Sequence, residues 1–247
     1  MPDDYKDHFL SCLENIDRQL CDIEHLEAVE CMALHFSYAV ERNQIVFPES
    51  GAGAFLKEIY ARTTSELFAI VGCLRHGVLL PAYHHSRAVL ELYSTMRYVF
   101  CEGHERRRLE KYLEFRDVFA YQHYASLQQR LTEGLITPLE FDKLKPISHE
   151  KFIELESRTN HWITLYSPKT SKVMDIKFWY SNARIQDFFK CTEEPEAMFS
   201  DYEIICHASH FSPFGVNFSD GPVMIGFPDN NRMRELVETP VRIAWTY

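Results

Sequence analysis

Residues 67–101 read LFAIVGCLRHGVLLPAYHHSRAVLELYSTMRYVFC. Leu67, Ile70, Val71, Leu74 and Val78 continue a stripe begun by Phe55 and Ile59. Steps of three and four place those side chains along one face of an α-helix, whereas a half-buried strand would alternate. The spacing predicts a helix over about 54–80. Pro81 marks the next start, because a first turn does not need the missing proline N–H. The second helix, over about 81–101, carries His84, His85, Arg87, Glu91 and Arg97 among Val89, Leu90, Leu92, Met96 and Val99. A helix that is apolar almost all round belongs inside a bundle of other helices. The fold class is therefore mainly α.

The same period extends outward in both directions. Upstream, Phe9, Leu13, Ile16, Leu20 and Ile23 step by four, three, four and three, which predicts a long helical region over 1–43. Pro48, Gly51 and Gly53 punctuate the chain after it. Downstream, Gly103 closes one helix and a basic one follows over about 104–132, opening with Arg106, Arg107 and Arg108. Thr137-Pro138-Leu139-Glu140 has the form of a capping box with proline at the first helical position. Ser148 is a cap for a helix to about Ser157. Residues 159–180 look irregular, with an exposed loop at 168–172. Ser181 is a cap for a helix through Phe189, and another is expected over 195–210. Residues 211–231 are Pro- and Gly-rich, with a hairpin expected around Ser219-Asp220-Gly221-Pro222. A last helix starts near Asp229, and the chain stops at Tyr247 in an apolar stretch, which leaves room for a longer natural protein. The expectation is one multi-helix domain of six to eight helices over 1–247. Its parts are an N-terminal helical region (1–43), a helical core (54–210) and a less regular C-terminal segment with a final helix (211–247).

Composition bounds the function. The 247 residues are 46% hydrophobic and 14% aromatic, enough apolar surface for a sizeable core. Twenty-six Lys and Arg against 36 Asp and Glu give a net charge of −10, which argues against broad attraction to nucleic acid or anionic lipid but leaves room for a local basic patch. Seven cysteines without a Cys-x-x-Cys pair argue against a disulfide framework or a structural zinc site. The first residues are acidic and no apolar run reaches the roughly 20 residues of a bilayer span. The expected setting is reducing cytoplasm, with no membrane, metal or cofactor.

The sequence lacks a phosphate-binding Gly-x-x-x-x-Gly-Lys loop, a dinucleotide fingerprint, a His-Glu-x-x-His pair and a Gly-x-Ser-x-Gly elbow. Three constellations remain. Arg87 and Glu91 lie one turn apart on an apolar helix; they read as an ion pair fixing helix register, or as the polar wall of an interhelical pocket. Further on, Tyr202, His207 and His210 lie on one expected helix, the two histidines three residues apart and so on one face. A metal there would need a further ligand such as Glu91 or His84. The Arg-x-x-x-Glu helix followed much later by Tyr202, Cys206, His210 and Ser212 resembles an uncharacterised bacterial family of all-helical domains, over about residues 67–213. That family has no settled activity. The resemblance implies that Arg87, Glu91 and His210 converge, although Cys206 stands where a serine is expected.

The third constellation is Arg116-Asp117-Val118-Phe119-Ala120-Tyr121-Gln122-His123. Seven steps place Arg116 and His123 on one helix face about 10 Å apart. This resembles the Arg-x4-6-His motif of the HEPN superfamily, helical proteins that often act as metal-independent ribonucleases in toxin and phage-defence systems. The resemblance implies a cleft shared by two subunits, with His123 as general acid or base, Arg116 as phosphate stabiliser and Asp117 as orienter. The basic run upstream suits an RNA backbone. Two functions thus stand side by side: an RNA-cleaving effector, with RNA and a second copy as partners, and a non-enzymatic binding or regulatory module for another partner, built on Arg87, Glu91, Tyr202 and His210.

Overall fold

The computed structural model describes residues 25–42, 44–76, 78–166, 172–180, 183–209 and 231–247. They form ten α-helices and one 3-10 turn, with no strand among the described residues. The stripe over 9–23, the hairpin around 219–222, the Ser181 cap and His210 lie outside them. The helices are α1 (Leu26–Glu41), α2 (Gly51–Arg75), α3 (Leu79–Val99), α4 (Glu105–Thr132), α5 (Pro138–Leu144) and α6 (His149–Glu156). They continue with α7 (Thr159–Tyr166), α8 (Ile185–Phe189), α9 (Pro195–Ser209) and α10 (Asn231–Thr246), the 3-10 turn being Val173–Asp175. No described helix is long and apolar enough to cross a membrane.

Two compact units emerge within the chain, one from Met1–Tyr98 and Gln186–Tyr247, the other from Val99–Ile185. In the first, α2 buries Phe55, Ile59, Leu67, Ile70, Val71 and Leu74 of the stripe read from the sequence; the helix ends at Arg75, and Val78, expected to continue the stripe, lies past its end and is exposed. It packs against α1 and α10. The start of α2 is fixed by Ser50, whose side chain accepts the Gly53 N–H at 3.2 Å. There the chain doubles back so tightly that a Cβ on Gly53 would sit 1.8 Å from the Pro48 carbonyl oxygen. Helix α3 buries Leu79, Ala82, Tyr83, Ser86, Val89, Leu90 and Ser94, so its interior face takes hydroxyls as well as hydrocarbon. Ser86 Oγ lies 2.8 Å from the Ala82 carbonyl and 3.3 Å from that of Pro240, which anchors α3 to α10.

The second unit is built on α4, 28 residues long, of which Val118, Tyr124 and Leu127 are buried. Its core joins Val118 to Leu155, Trp162, Leu165, Tyr166, Val173 and Ile176. The caps read from sequence are in place: Thr137 and Glu140 form the capping box of α5, and Ser148 accepts from Lys151 N at the start of α6. Helix α7 corrects the expectation of irregular structure over 159–180. Trp162, Leu165 and Tyr166 are spaced by three and one and point into the core, a signal too short to stand out in a loop-like stretch. Gln122 completes the unit, its Nε2 donating to the carbonyls of Val173 at 2.6 Å and Ile176 at 2.9 Å.

Candidate functional site

In the first unit, α3 and α9 bring together groups 115 residues apart. Arg87 Nε donates to Glu91 Oε1 at 2.7 Å, and an Nη of the same guanidinium donates to the Tyr202 hydroxyl at 3.0 Å. The guanidinium carbon lies 5.2 Å from the Tyr202 ring centroid. That ring also meets the buried Phe189 edge-on, with centroids 5.4 Å apart. Cys206, one turn beyond Tyr202, is placed beside its hydroxyl. The arrangement follows from spacing: Arg87 and Glu91 are i and i+4 on α3, Tyr202 and Cys206 are i and i+4 on α9, and each pair faces the other.

Electrostatically the cluster is a matched set at the edge of the core. The Arg87 and Glu91 side chains are 27% and 41% exposed, so water still reaches the pair. Burial pulls the Arg87 guanidinium down, but the hydrogen bond and charge of Glu91, helped by Tyr202 and Cys206, hold it above its ordinary range. Burial and the Cys206 contact push the Tyr202 hydroxyl up to about 12, against the pull of Arg87, so near neutral pH it is a donor. Its neighbour Asp201 is buried and binds both Arg242 Nη atoms, at 2.6 and 3.2 Å, and the Tyr247 hydroxyl at 3.2 Å. Consecutive residues of α9 thereby grip α3 and α10. The Asp201 clasp was not read from the sequence; an acid beside an aromatic gives no local sign of being buried.

The other residues of this constellation divide in two. His84 is exposed. The side chain of His207 and all of His210 lie outside the described atoms. No group of three or more His, Cys, Asp or Glu suited to a metal ion occurs among the described residues.

In the second unit, Arg116 and His123 are both exposed on one side of α4. Asp117 is not with them. Its carboxylate accepts from Arg158 Nη1 at 2.8 Å, while Arg158 Nη2 binds Glu114 and Trp162 Nε1 donates to Glu114 at 2.9 Å. The three acids Glu110, Glu114 and Asp117 line the side of α4 that faces α7, Glu110 lying 3.6 Å from His161. Asp117 thus ties α4 to Arg158, the residue just ahead of α7, and does not orient His123. At the start of α4 a cleft of about 560 Å³ is lined by His104, Arg106, Arg107, Glu110 and His161 among others, and neither Arg116 nor His123 borders it. Lys111 is nearby, held below its ordinary range by burial and by the charges of Arg107 and Arg108.

No family model matches the chain. Comparison with curated proteins and with solved structures likewise finds no similar protein.

Proposed function

We propose that the protein is a helical binding or regulatory module whose recognition element is the Arg87, Glu91, Tyr202 and Cys206 cluster. One observation carries this reading: two sequence-distant pairs meet across α3 and α9 while remaining partly open to water. An ion pair half-open to water adds little stability by itself. A guanidinium, a hydroxyl donor and a carboxylate at one half-open edge suit a small polar ligand with an anionic or carbonyl group and a hydroxyl. The test is thermal unfolding of wild type, Tyr202→Phe and Arg87→Lys with a panel of nucleotides, amino acids and carboxylic acids. A ligand at a hundredfold excess over its Kd adds about 2.7 kcal/mol. Tyr202→Phe should lose about 1 kcal/mol of intrinsic stability, and Arg87→Lys should lose the two-armed contact because lysine has no fork of donors. Both should keep the fold and lose the ligand-dependent gain. A wild type stabilised by nothing in the panel, or variants stabilised as well as wild type, would refute the reading.

The exposure of both Arg116 and His123 on one face of α4 favours a second reading, an RNA-cleaving effector of HEPN type. In it the His123 imidazole takes the 2′-hydroxyl proton as that oxygen attacks the adjacent phosphorus. The bond to the 5′-oxygen breaks and that oxygen takes a proton from solvent, leaving a 2′,3′-cyclic phosphate and a 5′-hydroxyl end. Arg116 stabilises the charge gathering on the phosphate oxygens. With Asp117 committed to Arg158, two residues carry this chemistry in each chain, and a second copy would supply another such pair. Incubation of RNA with purified protein in EDTA should give cyclic-phosphate ends, and His123→Ala should slow cleavage by about 10²–10⁴-fold. RNA left intact by wild type with and without divalent metal would rule it out.

A further inference from the structure

The cleft between α4 and α7 has a division of charge that neither reading above uses. Arg106, Arg107 and Glu110 of α4 and His161, Thr164 and Leu165 of α7 border one space of about 560 Å³. Arg106 and Glu110 are one turn apart on their helix, and His161 and Thr164 one turn apart on theirs, so each helix lends a face to the wall. A space of this size takes a small molecule. Arg106 and Arg107 are both exposed, and neither meets a carboxylate among the described residues. The acids that border the cleft are engaged with other groups: Glu105 Oε1 accepts the Gly103 N–H at 3.2 Å, and Glu110 Oε1 lies 3.6 Å from His161 Nε2. Positive charge is in local excess, in a chain whose net charge is −10. Burial, together with the charges of Arg107 and Arg108, holds the neighbouring Lys111 below its ordinary range.

Glu110 lies four residues beyond Arg106 and three beyond Arg107, about 4.5–6 Å further along the helix. The cleft therefore has a cationic end and an end that pairs an acid with an imidazole. Two neighbouring guanidiniums supply two forks of donors and two positive charges. A phosphate monoester near neutral pH carries close to two negative charges on three terminal oxygens and can use both forks. A carboxylate, with one charge and two oxygens, leaves a fork idle. At the other end the Glu110 carboxylate accepts hydroxyl groups, and the His161 imidazole offers a donor or an acceptor. Leu165 is the one hydrocarbon side chain of the lining, and no Phe, Tyr or Trp borders the space, so it offers no flat apolar wall to a nucleobase and no slot to an acyl chain. We propose that this cleft binds a small phosphorylated polyol of the sugar phosphate class, its phosphate on Arg106 and Arg107 and its hydroxyls towards Glu110 and His161. The site belongs to the Val99–Ile185 unit and depends on neither function proposed above.

The experiment is isothermal titration calorimetry on the full chain at constant ionic strength. The titrants are glucose 6-phosphate, glycerol 3-phosphate, inorganic phosphate, sulfate, glucose and adenosine monophosphate. The two phosphorylated polyols should bind more tightly than inorganic phosphate, and glucose should not bind. Arg106→Gln/Arg107→Gln should weaken glucose 6-phosphate by about tenfold or more, the loss expected when charged hydrogen bonds go. Arg106→Lys/Arg107→Lys, which keeps the charge without the forks, should fall between that variant and wild type. Glu110→Gln should weaken glucose 6-phosphate while inorganic phosphate binds at least as well as before. Arg130→Gln removes an exposed cation of the same helix away from the cleft and should change nothing. Both arginines of the cleft are exposed, and circular dichroism confirms that each variant keeps the fold. Absence of binding by every phosphorylated titrant at millimolar concentration overturns the proposal. An affinity for glucose 6-phosphate that survives in Arg106→Gln/Arg107→Gln overturns it too. Equal affinity for phosphate, sulfate and the sugar phosphate would mark a diffuse basic surface and refute a built site. Adenosine monophosphate bound well ahead of both phosphorylated polyols would assign the cleft to a nucleotide and refute the proposed class.

Discussion

Replacing Trp162 by alanine should destabilise the Val99–Ile185 unit by about 3–5 kcal/mol, the range for removing a buried aromatic. The indole is fully buried and sits among Val118, Leu155, Leu165, Tyr166, Val173 and Ile176. Three specific contacts add to the hydrocarbon burial: the Nε1–H bond to Glu114, the edge-on meeting with Tyr121 and the Arg158 guanidinium 5.5 Å from its ring. Alanine would leave a cavity at the junction of α4 and α7 and take one donor from Glu114. That acid keeps Arg158, so the cost is dominated by lost packing and not by an orphaned charge. Since a whole domain is typically stable by about 5–15 kcal/mol, the loss would be a large fraction of what holds this unit together. Urea unfolding followed by far-UV circular dichroism measures it. A loss below about 1 kcal/mol would mean that the indole is less well packed than described.

The second large effect is one whose sign local propensity gets wrong. Glycine to alanine within a helix ordinarily gains about 0.5–1 kcal/mol. At Gly72 in α2 that gain is expected, because a Cβ there meets nothing within 4 Å. At Gly53 in the same helix the Cβ would lie 1.8 Å from the Pro48 oxygen and 2.8 Å from its carbonyl carbon. These are backbone atoms and cannot swing aside. The same oxygen accepts the Ser50 N–H at 2.8 Å, so relief of the clash opens the turn and removes the cap from α2. Gly53→Ala should therefore cost about 3 kcal/mol or more, while Gly72→Ala raises the denaturation midpoint. Two variants moving the midpoint in the same direction would contradict this account of how α2 begins.

Much of the fold is legible in the sequence because its signals are local. The stripe from Phe55 to Leu74, the Thr137 capping box, the Ser148 cap and a helix start near Pro81, observed two residues earlier at Leu79, each lie within a window of a few residues. The structure places each of them accordingly. The pairing of Arg87 with Glu91 was readable for the same reason, as an i, i+4 pair. The resemblance implied convergence of that pair with His210, which lies outside the described residues, and no local rule discloses the observed meeting with Tyr202. The misses are tertiary. Helix α7 has a face of three large residues, too short for periodicity to rise above its polar surroundings. Gln122 and Asp117 look like ordinary polar positions of a surface helix, yet one holds the 3-10 turn and the other holds Arg158. Their roles depend on what lies opposite, which a single helix cannot disclose.

The grip of α9 on its two neighbours has a mechanical corollary. Asp201 and Tyr202 are adjacent, so their side chains leave the helix axis about 100° apart, one towards Arg242 and the other towards Arg87. Together with the buried Met198 and Ile205 they fix the rotation of α9 as spokes fix a wheel. Loss of the Arg87 contact removes one spoke and leaves the helix held by the Asp201 clasp and its buried apolar face.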